Sequence, residues 1–219
     1  MKKHSIALLL LLVLLTGCGA KTEEAPWQTA YRETGKYLQE QDALSAGSVG
    51  GEWAVIGLSR AGLLSDETAQ SYEQTVEDYV KQAGSVRLHH AKSTENSRAI
   101  LGLTAAGYNA ANMAGVDLTA GLTDMAYLRA QGTNGPIWAL IALDCHGYDI
   151  PQCADGEEQT TCEGLVAEIL SYQCSDGGWA LMGDESDVDM TAMALTSLAP
   201  YQEETDIKAA VDAPLTYLS

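Results

Sequence analysis

Basic residues are scarce in this chain. Twelve Lys and Arg stand against 30 Asp and Glu, for a formal charge of −18. A surface so acidic is repelled by phosphate backbones and gains nothing from anionic lipid, which argues against a nucleic-acid partner. Its plain use is solubility. Phe is absent and Trp occurs four times, so aromatic lining is in short supply. No apolar run reaches the roughly 20 residues that a membrane-spanning helix needs; the longest runs from Ile6 to Leu15. The glycine-rich stretch from Ala46 to Gly51 lacks a Gly-Lys-Ser/Thr ending and a preceding strand, so it reads as a connector, not a phosphate cradle. The paired CxxC spacing of a cysteine zinc site is missing as well.

What is present begins at the N-terminus. Lys2 and Lys3 precede the short apolar run, and Leu15-Thr16-Gly17-Cys18 matches the bacterial lipobox. The expected events are diacylglyceryl transfer to the Cys18 thiol, cleavage before Cys18, and anchoring to the outward, extracytoplasmic face of the bacterial cell membrane. Residues 1–17 are then a lipoprotein signal peptide, 18–25 a tether and 26–219 one domain. The mature chain keeps 202 residues and a charge of −20, enough for a single core.

The rest reads as helices. Pro26 suits a first turn, and a helix is expected from Trp27 to Leu44 with Trp27, Tyr31, Leu38 and Tyr37 on one face. Ser65 opens another, striped by Tyr72, Val76, Tyr79 and Val80. Further outer helices are expected over Leu118–Ala130, Cys162–Tyr172 and Asp206–Leu218. Three apolar segments echo one another: Trp53 to Leu63, Arg98 to Tyr108 and Trp138 to Tyr148. Each has an Ala, two large apolar residues and a closing Gly followed by Leu or Tyr. A fourth, Met190 to Leu198, is apolar almost all round and therefore buried. Aligned on Ala54, Ala99, Ala139 and Ala192, the units repeat every 40 to 53 residues, as stacked helical hairpins do.

Between the last outer and buried helices lies Gln173-Cys-Ser-Asp-Gly-Gly-Trp179, then Asp187-Val-Asp-Met-Thr-Ala-Met-Ala194. The first segment resembles the Q-x-G-x-W repeat signature of the terpenoid cyclase/protein prenyltransferase-like superfamily of α/α toroids. Bacterial surface proteins with prenyltransferase/squalene-oxidase-type repeats are its nearest members. The second is similar to the Asp-x-x-Thr-Ala-x-Met-Ala segment of cobalamin-carrier α/α barrels. The resemblance implies an all-α toroid. Four buried and about five outer helices make it an incomplete ring, since closed members have five or six pairs.

The resemblance also offers chemistry. Class II cyclases protonate an alkene with Asp-x-Asp-Asp; here Asp187 and Asp189 are followed by Met190, so the network that sharpens the acid is short of one carboxylate. Prenyltransferases hold zinc with Asp, Cys and His, but Cys145 and His146 are neighbours pointing about 100° apart on a helix, and no metal is expected. Sugar-chain cleavage requires two convergent carboxylates, and Glu52, Asp144, Asp187 and Asp189 sit near ends of buried helices. The leading expectation is a binding module without catalysis, for a small molecule, a glycan or a surface protein. A corrinoid enters only through the cobalamin-carrier resemblance. Candidate ligand residues are Trp53, Arg60, Trp138, Asp144, Trp179, Asp187 and Asp189 near the concave centre. Asp187 and Asp189 equally suit a helix N-terminus, and Trp179 equally suits the core. His89-His90 reads as a surface pair. Four cysteines follow Cys18; Cys153 and Cys162 bracket a loop and can pair, as can Cys145 and Cys174.

Overall fold

In the computed structural model, residues 25–217 are described except 42, 43 and 49. The lipobox and Cys18 lie outside the described residues. Among the described residues nine α-helices follow in order: α1 Pro26–Gln39, α2 Gly51–Arg60, α3 Asp66–Ala83, α4 Thr94–Ala105, α5 Met125–Arg129, α6 Asn134–Asp144, α7 Cys162–Ser171, α8 Val188–Leu198 and α9 Thr205–Tyr217. Only isolated bridges, and no strand, occur among the described residues. The fold is all-α, as the pattern predicts.

The even-numbered helices form the backbone of the arrangement. α2 packs on α4, α4 on α6 and α6 on α8, while α1 flanks α2, α5 and α7 flank α6, and α9 flanks α8. Each buried helix puts Ala and Leu toward its neighbours: Ala54 and Leu58, Ala99 and Leu103, Ala139 and Leu143 are all buried. Small residues at these positions let the helix axes approach closely.

The shared Gly-Leu/Tyr ending of the echoes has a definite geometry. Gly62, Gly107 and Gly147 adopt φ of 66°, 87° and 64°. The next residue's N–H turns back in each case: Leu63 to Leu58 O, Tyr108 to Leu103 O and Tyr148 to Leu143 O, all at 2.9 Å. This is the Schellman helix ending, in which a residue without Cβ supplies the left-handed turn. α8 has no such Gly and runs instead into the Pro200 turn. Its register also differs from the expected one. Ala192 is exposed, whereas Ala194 and Leu198 are buried. The residue equivalent to Ala54, Ala99 and Ala139 is therefore Ala194, two positions later than the sequence alignment set it.

Two outer elements depart from expectation. α1 stops at Gln39, short of the expected Leu44, and the face that carries Trp27, Tyr31 and Tyr37 is exposed. The expected helix over 118–130 breaks in two, a 3₁₀ turn at Leu118–Leu122 and then α5. The break comes from a docking loop: Thr160 N–H bonds Thr123 O, Met125 N–H bonds Glu158 O, and Asp124 recaps α5 through Ala126 N–H.

An Arg129 fork ties that loop to α7. Its Nε and Nη2 each donate to Glu168 at 2.8 Å, and Nη1 reaches Glu158. These hydrogen bonds from Arg129 hold the Glu168 carboxyl below its usual range. A depressed carboxyl stabilises the fold above its unfolded pKa, and that contribution disappears as pH falls through the folded value. Arg129 is about a third exposed, so screening limits the effect. Arg129→Ala should cost about 1 kcal/mol at neutral pH, and the gap from wild type should close below roughly pH 4. Urea unfolding at pH 7 and pH 3.5 checks both parts.

Candidate functional site

The candidate site lies on the face that α2, α4 and α6 leave open. On α2 the face carries Trp53, Ile56 and Arg60; on α4 it carries Thr94, Arg98, Leu101 and Ala105; on α6 it carries Asn134, Trp138 and Cys145. These positions recur at three- and four-residue spacing, one side of each helix. The N-terminal members line one cleft and the C-terminal members line a second hollow, so the three helices run parallel and share a trough.

The cleft, of about 320 Å³, is bounded by Trp53, Lys92, Thr94, Glu95, Arg98, Gln131, Asn134 and Trp138. Trp53 and Trp138 meet with ring centroids 5.1 Å apart and planes tilted by 59°. One belongs to α2 and the other to α6, the neighbours on either side of α4. Both rings line the cleft together with Arg98 of α4. Trp53 remains 42 % exposed. An apolar wall open to water beside polar groups is what a ligand site needs.

The polar rim is partly fixed and partly free. Arg98 donates to Glu95 at 2.6 Å, and Tyr79 hydroxyl donates to the same carboxylate oxygen at 3.3 Å. Gln131 accepts from Ser93 Oγ and Thr94 N–H and donates to Thr94 Oγ1. Its amide is thereby immobilised. The side chains of Asn134 and Lys92 and the two indole N–H groups form no hydrogen bond with a described residue and face the cleft.

The hollow at the other end measures about 420 Å³ and is lined by Ile56, Ser59, Arg60, Leu101, Thr104, Ala105 and Cys145. Arg60 does face the trough. Asp144, its expected companion, does not. It turns toward α7 and α8, where Tyr201 hydroxyl donates to both carboxylate oxygens at 3.0 and 2.9 Å. Burial pushes its carboxyl above the usual range, and the Tyr201 bond opposes this.

Two more expected site residues, Trp179 and Asp187, have structural duties. Trp179 is fully buried, with its indole N–H on Ile169 O at 2.7 Å and its backbone N–H on Thr191 Oγ1. Gln173 of the same motif bonds Gly177 O and, across to α9, Ala210 O. The Gln-Gly-Trp stretch thus fastens α7, α8 and α9 together and lines neither cleft nor hollow. Asp187 caps α8 through Met190 N–H at 2.7 Å. Asp189 is exposed in the first turn of α8. In the corrected register it matches Thr94 and Asn134, and Met193 matches the two tryptophans.

Glu52 is 1 % exposed and accepts from Gly47 N–H at 2.6 Å, which pins the glycine connector. It stands at the start of α2 while Asp144 ends α6, so these two carboxylates are at opposite ends of the row. The sequence-expected bridge between Cys153 and Cys162 is not formed. Cys153 Sγ lies 3.6 Å from Glu157 O, and Cys162 Sγ lies 4.0 Å from Asp144 Oδ1. Cys145 and Cys174 are free thiols too. His89 and His90 stack at 4.4 Å, and His89 Nδ1 accepts from Ala91 N–H.

Sequence reasoning placed Trp53 and Trp138 at equivalent repeat positions but passed over Arg98, Glu95, Gln131 and Asn134. Arg98 was within reach, because it precedes Ala99 as Trp53 precedes Ala54. Gln131 comes from an inter-helix turn, where no periodicity points. No protein-family model, curated protein or solved structure matches the chain.

Proposed function

We propose that the chain is a lipid-anchored, extracytoplasmic binding module of the α/α-toroid kind, without catalysis, whose ligand is a saccharide held in the Trp53–Trp138 cleft. The anchor rests on the lipobox at Cys18, and the toroid reading on the row of alternate helices with three identical endings. One observation carries the site: the two indoles meet across the intervening helix, over a rim that mixes an Arg–Glu pair with a free amide.

That combination suits a sugar. Indole faces accept the C–H faces of a pyranose, and the amide and ion-pair edges bond its hydroxyls. A cleft of about 320 Å³ fits one or two sugar rings and is small for a corrin macrocycle. Against catalysis, none of the four carboxylates expected for a glycosidase or cyclase lines the cleft: Asp187 caps a helix, Asp144 accepts from Tyr201, one oxygen of Glu52 accepts from the glycine connector, and Asp189 is exposed on α8.

The test is a titration of the full chain with N-acetylglucosamine, glucose and galactose trimers, followed by tryptophan fluorescence. A saturable change with one of them is expected, and Trp53→Ala should weaken it by about tenfold or more, equivalent to about 1.4 kcal/mol. Trp53 is half exposed, so this variant keeps its fold. Absence of any saturable response, or binding untouched by Trp53→Ala, would remove the saccharide reading. Binding of cyanocobalamin in its place would restore the carrier alternative.

A further inference from the structure

α1 is an amphipathic helix whose apolar side is not buried. Trp27, Tyr31 and Tyr37 are 68 %, 53 % and 61 % exposed, and Gly35 is its one buried residue. At 100° per residue, Tyr37, Ala30, Trp27, Leu38 and Tyr31 share one stripe, and Arg32 and Lys36 lie on the opposite side. The helix is held to the domain along a narrow seam. Gly35 rides against Leu63, where a Cβ would come within 2.4 Å of its Cδ1, and Gln39 Nε2 donates to Leu63 O at 2.7 Å. An open groove lined by Trp27, Gln28, Tyr31, Arg32, Ala61 and Leu63 runs beside the seam.

We infer that this aromatic stripe rests on the outer leaflet of the membrane that holds the Cys18 anchor, so that α1 is a second, non-covalent membrane contact. Three observations single out a lipid surface. Trp and Tyr are the side chains that favour the headgroup layer, because each joins an apolar ring to a polar group. Seven residues separate Cys18 from Pro26, a reach of about 25 Å at full extension, so α1 stays within a helix length or so of the bilayer. Finally, α1 carries a formal +1, from Arg32 and Lys36 against Glu33, and Glu40 just past its end brings the segment to zero, in a chain of net charge −18. It can approach an anionic surface that repels the rest of the domain. The contact would set the orientation of the trough relative to the membrane.

The inference rests on the anchoring reading, and one experiment separates the two. The full chain is purified from a bacterial host, its acylation is read by intact mass, and it is reconstituted in phosphatidylglycerol/phosphatidylethanolamine vesicles doped with acyl-brominated phosphatidylcholine. Bromines quench nearby indoles. About one part in four of the fluorescence should be quenched, since the chain has four Trp, and Trp27→Ala should abolish that component with an unchanged circular-dichroism spectrum. Equal quenching in wild type and Trp27→Ala, with Cys18 acylated, overturns the inference and leaves the anchor standing. An unacylated Cys18 removes the anchor, and the same comparison then decides the surface contact alone: Trp27-dependent quenching supports it and its absence overturns it. A Trp27-dependent dimer without quenching gives the stripe to a second copy and also overturns it.

Discussion

Trp179→Ala should lower stability by about 3–5 kcal/mol, the cost of deleting a large aromatic from a rigid core. The side chain is completely buried, and its indole N–H occupies the Ile169 carbonyl of α7. Removing it opens a cavity among α7, α8 and α9 and takes away one of that carbonyl's two hydrogen bonds, the other coming from Tyr172 N–H. In a chain of this size each kcal/mol shifts the midpoint by about 2–4 °C, so Tm should fall by about 10 °C or more. Trp179→Phe keeps most of the ring and loses the N–H, and should fall between the variant and wild type. Thermal unfolding followed by circular dichroism measures all three. A drop of only a degree or two would mean that Trp179 is not the plug that joins the last helices.

Gly135→Ala is the second large effect, and its sign depends on position, not on helix propensity. A Cβ at Gly135, in the first turn of α6, would stand 2.0 Å from Leu128 O and 2.9 Å from Leu128 C. Those are backbone atoms of α5 and cannot rotate aside, so α5 and α6 must separate. Overpacking of this sort costs about 1–3 kcal/mol or more. The same substitution at Gly57, mid-way along α2 with nothing within 4 Å of the new Cβ, should stabilise by about 0.5–1 kcal/mol, because Ala loses less backbone entropy in a helix. Moving α6 also moves Asn134 and Trp138. Gly135→Ala should therefore weaken the sugar response even at temperatures where the variant is folded, whereas Gly57→Ala should not. Urea titrations with a sugar titration on each variant check both claims.

The elements that were legible in the sequence are those whose signals are local. The stripe of Tyr72, Val76 and Val80, the Ser65 cap on Thr68 N–H and the Asp187 cap on Met190 N–H all follow from residues within a turn or two. The echoed Gly-Leu/Tyr endings predicted buried helices, and the structure supplies the reason in the shared turn. What failed was non-local. The break at Thr123 and Asp124 depends on a loop some 35 residues later, which no periodicity over 118–130 reports. The register of α8 slipped because Ala192 and Ala194 fit the pattern equally well until burial distinguishes them. The spacing of Trp27 and Tyr31 puts them on one face, and that face is exposed; amphipathicity shows that a face wants cover but not what covers it. For the site, the spacing of Trp53 and Trp138 within their repeats was visible. Their meeting beside Arg98 is a property of how α2, α4 and α6 pack. Asp144 looked like a trough residue from its place in an apolar helix, but a difference of 100° about the axis gives it to Tyr201.

The most direct test of the central claim is hydrogen–deuterium exchange of the full chain with and without the sugar trimer that gives the strongest fluorescence response. If the cleft is the site, added protection will gather in peptides covering Trp53, Thr94–Arg98 and Gln131–Trp138, with no change around Tyr201 or in α9. Protection that maps elsewhere, or spreads evenly over the chain, would contradict the assignment of the Trp53–Trp138 cleft as the binding site.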